Sequence, residues 1–131
     1  TIDERSQEFP RCHPALNGKP YQYGYCVAVE RFGFPSIYKH DLHAGTSVEF
    51  GLGPGRHSAE PVFIPRVGSS AEDDGYVMTF VYDSAKNASD LIILDAQDLS
   101  RPPLAAVHLP NRVPFGFHGN WVADTQTPPT A

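Results

Sequence analysis

Cysteine is scarce in this sequence, with only Cys12 and Cys26 among 131 residues. One pair in an ordinary globular composition is too little for a disulfide-stapled scaffold, and Cys26 falls in a strand pattern where a small buried thiol is common. Both read as free thiols in a cytoplasmic setting. No run of apolar residues approaches the ~20 needed to span a bilayer, and no secretory signal pattern is visible. Clustered positive charge is also missing. Ten Lys and Arg against fifteen Asp and Glu leave a formal charge of -5, which argues against nucleic acid as a partner, because phosphate binding needs a concentrated basic surface. No convincing helix appears. The chain does not begin with methionine, so it is expected to be processed or to belong to a longer parent.

Hydrophobic residues make up 40% of the chain and charged ones 19%, with thirteen prolines and eleven glycines. That suffices for a core, either as one domain or as a piece of a larger one. The prolines and glycines punctuate short apolar runs, the habit of an all-β chain with many turns. Residues 1–20 read as an extended lead-in. Residues 21–30 are aromatic and β-branched and form a strand, with Gly24 marking a bulge or a close backbone neighbour. Residues 36–41 alternate and read as half-buried, residues 43–46 turn, and the chain returns to residue 52 as a hairpin. Residues 51–58 form a glycine-rich loop; no strand-then-helix context or Lys-Ser/Thr ending makes it a phosphate cradle. Residues 60–65 are a short proline-bounded apolar run. Residues 71–75 form an acidic turn whose spacing does not fit a calcium loop and which reads as solvated. Residues 76–83 are the strongest strand, residues 91–95 pair back as a strand buried on both faces, and residues 104–110 follow as another.

Residues 60–109 therefore have the size and rhythm of one four-stranded propeller blade, and residues 21–52 supply a less complete second group. Two such groups cannot close a ring, so the fold expected is all-β, about two blades of a larger propeller. Asn87-Ala88-Ser89 matches a glycosylation acceptor but reads as chance without a secretory context.

Near the C-terminus, Pro114-Phe115-Gly116-Phe117-His118-Gly119-Asn120-Trp121 frames one histidine with aromatics that would bury it and glycines that let a bulky group approach. Neutral imidazole is the commonest protein metal ligand. A buried structural histidine is the other reading of this motif taken alone.

Several ordered motifs resemble the C-terminal part of the carotenoid cleavage oxygenases. They are Pro20-Tyr21-Gln22-Tyr23-Gly24-Tyr25, Glu60-Pro61-Val62-Phe63-Ile64-Pro65-Arg66, Glu72-Asp73-Asp74-Gly75-Tyr76, Leu91-Ile92-Ile93-Leu94-Asp95-Ala96-Gln97-Asp98-Leu99, Leu109-Pro110, and Val113-Pro114-Phe115-Gly116-Phe117-His118-Gly119. The resemblance implies a seven-bladed β-propeller of which residues 1–131 are a C-terminal, incomplete segment. It implies a non-haem Fe(2+) held by four histidines, the last falling on His118, and glutamates behind the ligands, one falling on Glu60. It implies oxidative cleavage of a conjugated double bond in a carotenoid, apocarotenoid or stilbene, with O2 and an apolar conjugated molecule as substrates. Phe117 would line the substrate slot. His13, His40, His43, His57 and His108 match none of the other ligand motifs; His40, His43 and His57 read as solvated and His108 as lying on a polar strand face. The piece alone is expected to be inactive, with the remaining blades required and membrane contact confined to other parts of the parent. The competing expectation is a metal-free propeller piece acting as a binding or scaffold module, with Glu60 paired to Arg56 or Arg66.

Overall fold

The computed structural model describes residues 2–31, 33–116 and 118–124. Strands β1 Gln7–Arg11, β2 Tyr23–Ala28, β3 Ser36–Asp41 and β4 Thr46–Gly51 form one antiparallel sheet in the order of the chain. Strands β5 Arg56–Ser58, β6 Val62–Pro65, β7 Gly75–Asp83, β8 Ala88–Asp95 and β9 Ala105–His108 form the other. The molecule is all-β, with one short 3-10 turn at Pro14–Leu16. The two sheets are two blade-like units, as the spacing of apolar runs predicts. Among the described residues no helix is long and apolar enough to cross a membrane.

The β3–β4 hairpin forms where the sequence places it. The Asp41 carboxylate accepts from the backbone N–H groups of His43 and Ala44 at 3.0 and 2.9 Å, and Gly45 takes the left-handed conformation (φ 65°) that closes the turn. The first sheet is completed by a strand that proline and charge conceal in the sequence. Within the lead-in, β1 pairs with β2, and one extra residue is accommodated between Glu8 and Arg11. The irregularity expected at Gly24 thus lies on the facing strand, where Phe9 adopts φ 56°. Strand β3 is covered on both faces rather than half-buried, because it lies inside its sheet and its Lys39 and His40 find polar partners there.

In the second sheet, β5 and β6 share one edge of β7. β5 pairs with the end of β7 (residues 81–83) and β6 with its start (residues 75–78). The glycine-rich loop thus contributes a strand, and the blade has five strands rather than four. Between β5 and β6 the chain steps off the ladder: Ala59 N–H donates to the Phe80 carbonyl at 2.8 Å, and Thr79 Oγ1–H donates to the Ala59 carbonyl at 2.8 Å. Glu60 stands at this step. Strand β8 buries Ile92 and Leu94 while Leu91 and Ile93 are only half-covered, so one face rather than both is sealed.

A single apolar cluster joins the sheets, drawing Tyr25 and Ile37 from the first and Phe63, Val77, Val81, Ile92 and Leu94 from the second. Tyr25 and Phe63 stack at 5.4 Å with 10° between their planes. Each such fully buried side chain contributes about 1.5–3 kcal/mol. The acidic turn is an anchor rather than a solvated loop. Glu72 Oε1 accepts from the N–H groups of Gln22 and Tyr23 at 2.8 and 2.7 Å, Asp73 binds Lys39, and Asp74 binds Arg66. The Glu72 and Asp73 contacts cross from one sheet to the other.

Candidate metal centre

Glu60 is buried, and its carboxylate is held on every side. Arg11 donates from Nε to Oε1 and from a terminal nitrogen to Oε2, both at 2.8 Å. The Gly119 N–H donates to Oε2 at 2.7 Å. His118 Nδ1 lies 3.4 Å from Oε1. An ionised carboxylate only accepts, so a neutral imidazole in this pairing carries its proton on Nδ1 and leaves the lone pair on Nε2. Burial pushes the Glu60 carboxyl up, but Arg11, the Gly119 N–H and His118 together outweigh it and hold the group below its usual range.

These parts come from three distant stretches. β1 supplies Arg11, the step between β5 and β6 supplies Glu60, and the strand-free segment after β9 supplies His118. Residues 58 apart in sequence, Glu60 and His118, are brought together. The partner of Glu60 is Arg11, not Arg56 or Arg66; those two reach Asp90 and Asp74 instead. Arg11 lies 49 residues upstream of Glu60, and nothing in either local motif signals that pairing.

The aromatic frame does not bury the histidine: the His118 side chain is 75% exposed. Phe115 turns away to meet Tyr82 edge-on at 5.6 Å, and Trp121 is half exposed. The ring packed against His118 is Phe9, edge-on at 5.6 Å, itself backed by Phe34 at 5.4 Å. Phe117 lies outside the described residues. A groove of about 340 Å³ runs from His118 along Val62, Ile64, Met78, Phe80 and Trp121. A larger hollow, which shares Glu60, Val62 and His118 with the groove, is also bounded by Phe9, Arg11, Tyr21 and Phe63.

The other histidines are placed differently. His40 is buried, with Nε2 at 2.7 Å from Gln7 Oε1 and Nδ1 at 2.6 Å from Ser47 Oγ. His57 is half-buried on β5, its ring against Gly33 and its Nδ1 without a hydrogen-bond partner among the described residues. His13 caps the 3-10 turn, accepting from Ala15 N–H at 3.1 Å. His108 is exposed and pairs with Asp90 at 2.7 Å. None of them approaches His118. Among the described residues, no group of three or more His, Cys, Asp and Glu side chains could hold a metal ion. The donor chemistry fits one ligand of an imidazole-bound metal: a lone pair on Nε2, open to the surface, with a carboxylate behind Nδ1 that fixes the tautomer and aims the ring.

The sequence profile of the family described as Retinal pigment epithelial membrane protein matches residues 1–123. A carotenoid cleavage oxygenase of Mycobacterium tuberculosis is 40% identical over 132 aligned residues, which cover 94% of this chain and 26% of that protein. The apocarotenoid-15,15'-oxygenase of Synechocystis is 38% identical over 89% of this chain and 25% of its own length. The chloroplastic 9-cis-epoxycarotenoid dioxygenase NCED6 of Arabidopsis thaliana is 48% identical over 83% of this chain and 18% of its own. Among solved structures, cobalt-substituted Synechocystis ACO superposes with a TM-score of 0.87 at 37% identity, over 92% of this chain and 26% of that one. The chain spans about a quarter of the length of the first two relatives and of that structure.

Proposed function

This chain belongs to the retinal pigment epithelial membrane protein family, and from that membership we propose that it is part of a non-haem iron(II) dioxygenase. The parent would cleave a conjugated carbon–carbon double bond of a carotenoid, apocarotenoid or stilbene. In this reading residues 1–131 are the C-terminal segment of a single propeller domain. His118 Nε2 is one of the iron's imidazole ligands, and the remaining blades bring the others. Ferrous iron, when bound, would supply the dioxygen chemistry that turns the double bond into two carbonyl groups.

The chain's own residues have three tasks. Glu60 accepts a hydrogen bond from the Nδ1–H of His118, which selects the tautomer with its lone pair on Nε2 and aims the ring. Arg11 and the Gly119 N–H hold Glu60. The apolar groove beside His118 offers a flat hydrocarbon a slot. A cytoplasmic setting agrees with both cysteines being free thiols.

The observation that carries the reading is the meeting of Glu60 and His118 with Nε2 left open. It is tested on the full-length protein loaded with ferrous iron without oxygen. Wild type is expected to retain stoichiometric iron and, with an apocarotenoid or stilbene under labelled dioxygen, to place label in both carbonyl products. His118→Ala is expected to lose the iron. Unchanged iron content in that variant overturns the assignment. One observation favours a metal-free scaffold instead: the shorter bonds of Glu60 go to Arg11 and Gly119, as in a structural clamp. A full-length protein that takes up no iron at all would establish that second reading.

A further inference from the structure

The metal reading needs one imidazole and one carboxylate; the structure adds a third group with a role of its own. We propose that Arg11 is a positioning residue for the metal centre, locking Glu60 and the main chain beside His118 into one unit. The inference rests on the iron-site reading of the preceding subsection.

Among the described residues, the segment that carries His118 makes no strand, so no ladder of hydrogen bonds there sets the height or direction of its ring. The guanidinium of Arg11 supplies that restraint. It engages both oxygens of Glu60 at 2.8 Å, and the nitrogen that holds Oε2 also donates to the Gly119 carbonyl at 2.6 Å. Glu60 in turn takes the Gly119 N–H. The residue following His118 therefore donates its N–H to the Glu60 carboxylate and accepts at its C=O from the Arg11 guanidinium. Bidentate geometry leaves the carboxylate one orientation, and in it Oε1 faces Nδ1. Phe9, two residues before Arg11 on β1, closes on the ring from the side. Arg11 also balances the charge of the carboxylate that accepts the hydrogen bond from Nδ1–H.

A lysine cannot reproduce this arrangement. Its ammonium is a point charge without the fixed fork that spans two oxygens. Arg11→Lys should preserve charge and fold while losing the aim; Arg11→Met should lose both charge and aim.

The test uses the full-length protein with Co(II) as the probe, because its ligand-field absorption reports ligand geometry independently of turnover. Co(II) affinity is measured by chelator competition, and thermal unfolding checks the fold. Loss of a group that orients a metal ligand typically costs 10–100-fold in affinity. We expect at least a roughly tenfold loss for Arg11→Met and a smaller, measurable loss for Arg11→Lys, both with shifted absorption bands. Should Arg11→Met not fold, Arg11→Lys decides the matter. A folded Arg11→Lys with wild-type Co(II) affinity and spectrum overturns the proposal. His118→Ala, run in parallel, separates the two levels: if it too binds Co(II) unchanged, the metal-site reading itself has failed.

Discussion

Lys39 Nζ lies 2.7 Å from Asp73 Oδ2, so a buried cation on β3 is tied to the turn that precedes β7 in the other sheet. The same ammonium donates to the Gln97 carbonyl at 3.2 Å and lies 4.4 Å from the centre of the Tyr23 ring. Together with Glu72 on the Gln22 and Tyr23 amides, this contact sets how the sheets face each other.

Truncating Lys39 to alanine leaves the Asp73 carboxylate unpaired where it is largely covered. The expected cost is about 3 kcal/mol, typical of breaking a buried pair from one side. Glu72→Ala should cost about 1–3 kcal/mol through two lost charge-assisted hydrogen bonds, and Glu72→Gln less, since a carboxamide oxygen still accepts. Urea unfolding of each variant measures both.

Gly75 opens β7 directly against β6. A Cβ there would lie 2.3 Å from the Ile64 carbonyl oxygen and 2.8 Å from the Phe63 ring. Because one obstacle is backbone, Gly75→Ala must move β6, the strand that follows Glu60. Destabilisation of about 2–3 kcal/mol is expected, with weakened metal retention in the full-length protein as a consequence at the site. Thermal unfolding and metal content are the two measurements.

His40 gives the chain an acid-sensitive joint. Its neutral form is fully used, donating from Nε2 to Gln7 and accepting at Nδ1 from Ser47. Burial pushes its pKa below the ordinary 6.5. The unfolded chain therefore binds the proton first as pH falls. Stability is full above about 6.5 and is lost as pH drops through the lowered folded value. The thermal midpoint should fall between pH 7 and 5, and His40→Asn should flatten that slope while lowering the plateau.

The neighbouring thiol should be inert. Cys26 is buried and its pKa is pushed up to about 12, chiefly by burial. Its Sγ–H donates to Gln7 Oε1 at 2.8 Å. A disulfide reagent at pH 8 should modify half-exposed Cys12 well before Cys26, with Cys26 reacting only on unfolding. Equal rates in the native state would contradict that environment.

How legible this was in the sequence follows from the range of the interactions involved. The β3–β4 hairpin and the β7–β8 pair were readable because Asp41, Gly45 and the run 76–83 act on neighbours a few residues away. Strand β1 was not, since Pro10 and flanking charges obscure a strand that exists by pairing with β2. The acidic turn and His40 look solvated in the sequence for a related reason: their partners Gln22, Lys39, Gln7 and Ser47 are set by tertiary fold, not by local composition. Glu60 and His118 could be named from motif resemblance. Arg11 could not, because its importance lies in joining two motifs that it belongs to neither of.

Main-chain atoms of residue 119 make two of the contacts that steady the imidazole, and among the described residues nothing lies within 4 Å of where a Cβ at that position would stand. Every amino acid except proline brings the same N–H and C=O. Within this chain that place therefore has room for a side chain without loss of either contact. A scan of substitutions at 119 should find alanine and serine tolerated by the fold and proline disabling, because proline lacks the N–H that Glu60 accepts.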